Sequence, residues 1–222
     1  MDSDWATIAT CASAFAAISA LAISFLQMRH SNRQALFSRR LNLWLTTEKL
    51  MGVYSESAKH LRPNDGAQLT NVWCFSCLTN TTSLQEIGPA ISNVLDSEWQ
   101  LKLHLKLDEM RSQASEARYI FKGNSGLAIC RFLDAYQKLL FKMYQYQILV
   151  KTMLDMAQEH RLTLEEACAN VHEKEYREEL FTAQDALSAA YQELSTRKIR
   201  GKIKRQMRLV NTPKDIVDTF LS

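Results

Sequence analysis

Cys74-Phe75-Ser76-Cys77 is a pair of thiols two residues apart, the spacing used by zinc sites and by dithiol redox centres. A structural zinc ion needs four ligands, normally a second pair at similar spacing, and no second CxxC or HxxxH follows; the nearest histidine is His104. A thioredoxin-like pair needs a strand leading into a helix, and no strand pattern precedes Cys74. The two thiols therefore read as small apolar residues on a buried helix beside Trp73 and Phe75.

The remaining chemistry-bearing residues do not converge. His30, His60, His104, His160 and His172 are scattered, and none is paired with a carboxylate in a recognisable motif. Glycine-rich phosphate loops, a nucleophile elbow and HExxH are missing from the chain. The mixed-sign run Glu173-Lys174-Glu175-Tyr176-Arg177-Glu178-Glu179 has the spacing of a solvated helix face. No catalytic, cofactor-binding or metal residues are assigned, and a non-enzymatic protein is expected.

The strongest charge feature lies near the C-terminus. Arg197, Lys198, Arg200, Lys202, Lys204, Arg205 and Arg208 place seven cations in twelve residues. Ile199, Ile203, Met207 and Val210 interleave at helical spacing, so a helix here carries one apolar stripe in a basic coat. Three partners fit: an anionic lipid surface, where each cation contributes about 1 kcal/mol; nucleic acid, through phosphate neutralisation; or the chain's own bundle, with the cations balancing the acidic region 159–193.

The elements that must carry these residues are helices. With 6 Gly and 3 Pro in 222 residues, turns are few and elements long. Leu, Ala, Gln, Glu, Lys and Met dominate over the usual strand builders. A net charge of +3 implies no polyanionic partner by itself. The five cysteines (Cys11, Cys74, Cys77, Cys130, Cys168) are odd in number and scattered, which suits reduced thiols better than a disulfide framework.

Residues 5–28 hold 24 consecutive positions without charge, from Trp5 to Met28. At about 1.5 Å per residue that length covers a hydrocarbon core of about 30 Å, so a transmembrane helix is expected. The absence of Lys or Arg before Arg29 argues against a cleaved signal peptide. Asp2 and Asp4 precede the span; Arg29, Arg33, Arg39 and Arg40 follow it, which predicts the N-terminus outside and the rest cytoplasmic. Ala12, Ala16, Ala20 and Ser24 recur at four-residue spacing, a face for packing spans and for a homo-oligomer.

Beyond the span, residues 28–62 read as one long helix with Leu36, Leu43 and Leu50 on its stripe, ending at Pro63-Asn64-Asp65-Gly66. A shorter segment 67–78 follows. Residues 90–121 have helical apolar spacing, although 101–107 alternates like a strand; helix is preferred because no strand partner exists. Gly123-Asn124-Ser125-Gly126 marks a turn before a helix to His160. Thr163 with Glu166 forms a capping box for a helix through Leu194. Thr212 and Pro213 open a short final helix. The expected organisation is all-α: an acidic N-terminus 1–4, a transmembrane helix 5–28, a cytoplasmic bundle of about five helices over 29–196, and a basic C-terminal segment 197–222.

This layout resembles a loose group of uncharacterised bacterial single-pass inner-membrane proteins with a cytoplasmic helical domain. The resemblance rests on the Ala/Ile-rich span, the exit Gln27-Met28-Arg29, the long helix after it and the segment Glu116-Ala117-Arg118-Tyr119-Ile120-Phe121. It covers about the first fifty residues and that short segment. It implies a bacterial inner-membrane location and a stress or phage-defence role, with no activity to carry over. Two functions are expected from different classes. One is a membrane-anchored interaction module that binds a protein partner or itself; the other is a membrane-tethered nucleic-acid-binding protein using 197–208.

Overall fold

A computed structural model describes residues 2–61, 71–160 and 163–207, without the side chains of 2–12, 14, 59, 60, 160, 164, 167 and 170. Among these residues the fold is all-helical, with no strand. The helices are α1 (Asp2–Leu61), α2 (Asn71–Leu78), α3 (Ser97–Ile120), α4 (Asn124–His160), α5 (Leu164–Asn170), α6 (Glu173–Ser195) and α7 (Arg197–Gln206), with a 3₁₀ segment at Gln85–Ile91. The turn at Pro63–Gly66, Arg208 and the final helix expected from Thr212 lie outside the described residues.

The chain divides into two compact units, one holding residues up to Leu41 together with Met207 and the other Asn42–Gln206. In the first, α1 is exposed from Phe15 to Met28: Phe15, Ile18, Leu21, Ile23, Phe25, Leu26 and Met28 lie between 56% and 75% exposed.

Two expectations are overturned here. Among the described residues no helix is long and apolar enough to cross a membrane. The uncharged run from Trp5 to Met28 is diluted by alanine and serine. The transmembrane helix at 5–28 therefore fails, and with it the placement as a single-pass inner-membrane protein with its N-terminus outside and its domain cytoplasmic.

The second unit is a bundle organised on α4, which packs against α2, α3, α5, α6, α7 and the 3₁₀ segment. One side of α4 (Ile129, Leu133, Tyr136, Leu140) is fully buried. Its phenols close orphan carbonyls left by short elements: Tyr136 Oη donates to Leu78 O at 2.6 Å and Tyr144 Oη to Val94 O at 2.7 Å. Asn71 Nδ2 adds a bond to Met143 O at 2.6 Å.

The alternating stretch 101–107 is helix within α3. Leu103 and Leu107 are buried at i, i+4 spacing, while Leu101 and Leu105 are exposed. Asp96 caps α3, its side chain accepting from Glu98 N at 2.8 Å. Between α3 and α4 the chain turns at Gly123, φ +60°, where a side chain would be strained. Gly126 then comes so close to α3 that an added Cβ would lie 2.6 Å from Ala117 O.

The helix expected from Thr163 to Leu194 is two helices. The Thr163–Glu166 capping box is present at the start of α5. The chain then breaks at His172, which sits in the left-handed region at φ 53°, and α6 begins at Glu173.

Candidate functional site

The CxxC lies on α2 with Cys74 buried and Cys77 half-buried. Burial pushes both thiols up, and neighbouring Cys77 adds to the rise at Cys74. A thiolate is the reactive and metal-binding form, so this environment suppresses both uses. No group of three or more His, Cys, Asp or Glu among the described residues is placed to hold a metal ion. His104 packs against Phe141 with ring centroids 6.0 Å apart, and His172 occupies the α5–α6 break.

A groove of about 990 Å³ lies between α4 and α6. Its floor is made of alanines, chiefly Ala135 from α4 and Ala183, Ala186 and Ala190 from α6. These recur at three- and four-residue spacing, so they share one face, and their small side chains leave the trough open. Phe141 and the aliphatic stems of the rim residues supply further apolar wall.

The rim is charged on both sides and differs between them. From α4 come Arg131, Asp134, Lys138 and Lys142; from α6 come Glu175, Glu178, Glu179 and Glu193. Two ion pairs cross it: Arg131 reaches both oxygens of Glu193 at 2.9 and 3.0 Å, and Lys142 reaches Glu179 at 2.7 Å. Lys138 pairs along its own helix with Asp134 at 2.8 Å. The crossing pairs stand at positions 131 and 142 of α4, about 16 Å apart along its axis. Five carboxylates against three cations leave the rim net acidic.

One turn beyond Lys142, the two helices are tied by a buried carboxylate. Glu173, 4% exposed, accepts from Tyr146 Oη on α4 and from Arg177 on its own helix. Burial and then Glu173 push the Tyr146 phenol up to about 12. This cluster is consumed by its own hydrogen bonds and presents no reactive group.

The basic segment forms α7. Ile199 and Ile203 are buried, so its apolar stripe docks on the bundle. Arg200 is drawn in with them: its guanidinium bonds Glu48 at 2.8 Å and lies 5.8 Å from the centre of the Trp44 ring. Gln206 closes the end, accepting from Lys122 N at 2.7 Å and donating to Lys122 O at 3.2 Å. Arg197, Lys198, Lys202, Lys204 and Arg205 remain exposed.

Ala16, Ala20 and Ser24 are exposed along α1, while the side chain of Ala12 is outside the described ones. The α4–α6 groove was not foreseen from the sequence. Its signal was present as Ala183, Ala186 and Ala190 between glutamates, but alanine on a charged helix reads equally as solvated surface. No protein-family model, no curated protein and no solved structure matches this chain.

Proposed function

We propose that the bundle is a non-enzymatic protein-docking module that receives an amphipathic helix of a partner protein in the α4–α6 groove. The observation that carries this reading is the groove itself, an alanine-floored trough of about 990 Å³ with a net acidic rim. Small floor residues let another helix backbone approach closely in the stretch between the two crossing ion pairs. Glu175 and Glu178 favour an occupant with cations flanking its apolar stripe.

The test uses the full chain and a fluorescein-labelled helical peptide with a Leu/Ala stripe and lysines on its flanks. Ala186→Trp fills the trough at an exposed position and should weaken binding about tenfold or more. Glu175→Lys should weaken it less and lower its salt dependence. Absence of saturable binding, or equal binding by Ala186→Trp, overturns the reading.

A second reading is supported by α7, whose exposed cations Arg197, Lys198, Lys202, Lys204 and Arg205 suit sequence-independent phosphate contacts. Replacing Lys198, Lys202 and Arg205 by alanine should flatten the salt dependence of duplex DNA binding, by a slope of about 0.9 for each phosphate no longer neutralised. An unchanged slope removes this reading and leaves the groove untouched.

A further inference from the structure

We propose that α1 pairs with the same segment of a second copy, antiparallel, through Ile18, Leu21, Phe25 and Met28. This goes beyond docking at the groove, because it uses a different surface in a different unit.

Those four residues follow one another at three, four and three positions, the a–d–a–d spacing of a two-stranded coiled-coil seam. All are more than half exposed: Ile18 66%, Leu21 71%, Phe25 59% and Met28 56%. The next position of the seam is Asn32, which ends the apolar stripe. A helix with such an exposed stripe presents more contiguous apolar surface than monomeric proteins ordinarily leave in water.

The surface is already shaped for its own kind. A recess is lined by Leu21, Ser24, Phe25 and Met28 together with Ala22. The first four stand at i, i+3, i+4 and i+7, the four-residue hole that accepts one side chain from a facing helix. In an antiparallel pair Leu21 of the second copy enters this hole opposite Phe25, and Ile18 meets Met28. Two-fold symmetry then repeats each contact, so every layer of the seam is filled by two large side chains.

Charge decides the direction. The helix begins with Asp2 and Asp4 and continues past the seam with Arg29, Arg33, Arg39 and Arg40. A parallel pair would gather all the arginines at one end. The antiparallel pair instead separates the two sets of arginines and, in the register that sets Leu21 opposite Phe25, brings positions 39 and 40 of one helix within about three residues of position 4 of the other.

Sedimentation equilibrium of the full chain at micromolar concentration should give the mass of two 25.5-kDa chains. Leu21→Glu and Phe25→Lys, each alone, should weaken self-association about a hundredfold or more. Mixed in equal amounts they should form a heterodimer, because position 21 of one copy faces position 25 of the other. That rescue also shows that both variants are folded. A monomeric wild type, or a single variant that still dimerises, overturns the proposal. So does a Leu21→Glu chain rescued by Leu21→Lys rather than by Phe25→Lys, which would mean a parallel pair. A monomer that binds phosphatidylcholine vesicles through these residues would assign the face to lipid instead and also overturns it. Ala186→Trp should leave the dimer intact, so loss of groove binding and loss of pairing are read separately.

Discussion

The Tyr146 hydroxyl on α4 donates to Glu173 Oε1 on α6 at 2.5 Å, and Arg177 holds the same carboxylate through Nε at 2.8 Å. Burial by itself would raise the Glu173 carboxyl, but the bonds from Arg177 and Tyr146 outweigh it and hold the group below its usual value of 4.5. A depressed folded-state value means the carboxylate stabilises fully above the unfolded value and loses that contribution as pH falls through the folded one. Urea midpoints should therefore fall below about pH 4.5, and Glu173→Gln should flatten that acid limb. Arg177 is 52% exposed, so solvent screens part of the pair. Glu173→Ala should cost about 1–3 kcal/mol.

At the alkaline end the sign reverses. Tyr146 is raised from 10.0 to about 12 by burial and by Glu173, so the folded state keeps a proton that the unfolded chain releases. Stability should drop as pH rises from 10.0 toward about 12. Tyr146→Phe should remove that component at a cost of about 1 kcal/mol near neutrality. Phenolate absorbance followed beside far-ultraviolet dichroism checks it; a Tyr146→Phe chain with the wild-type alkaline limb would assign the drop elsewhere.

Two glycines should respond oppositely to alanine. At Gly126 an added Cβ would lie 2.6 Å from Ala117 O and 2.7 Å from Phe121 O, both backbone atoms that cannot swing aside. Gly126→Ala should therefore destabilise by about 1–3 kcal/mol through a forced separation of α3 and α4. At Gly52, within α1, a Cβ meets nothing within 4 Å. Gly52→Ala should stabilise by about 0.5–1 kcal/mol, since glycine is a poor helix former. Thermal melts of both variants give the comparison.

Cys74 should alkylate slowly. It is 6% exposed and its thiol is pushed up by burial and by Cys77, so little thiolate is present near neutrality. Iodoacetamide labelling at pH 8 followed by peptide mapping should show Cys74 modified at least about tenfold more slowly in the folded chain than in urea. Comparable rates would mean that α2 opens readily.

Helix type and the long elements were legible because few Gly and Pro and a 3.6-residue apolar spacing leave little else to build. The expectation held even at 101–107, where buried Leu103 and Leu107 prevail over alternation. Length and lack of charge at 5–28 do not amount to a span, because no described helix is apolar enough to cross a membrane. Alanine and serine carry no charge but add little transfer energy, so an uncharged run is not by itself a spanning one. The groove was illegible for a related reason: its floor is defined by volume that is missing, and Ala183 or Ala186 looks the same in sequence whether it lines a trough or faces open water. The His172 break was hidden because a left-handed residue outside glycine leaves no pattern.

Helix α4 touches the elements before it in the chain (α2, the 3₁₀ segment and α3) as well as those after it (α5, α6 and α7). During synthesis the segment from Asn71 to Ile120 emerges before α4, the helix on which its elements pack. Its apolar residues must wait for 124–160 to leave the ribosome. Once α4 is out, α3 collapses onto it as a near neighbour in the chain, and α6 follows onto the other side. Assembly of the bundle is thus gated by one late-arriving helix, and the interval before it appears is when the nascent chain has most need of a chaperone.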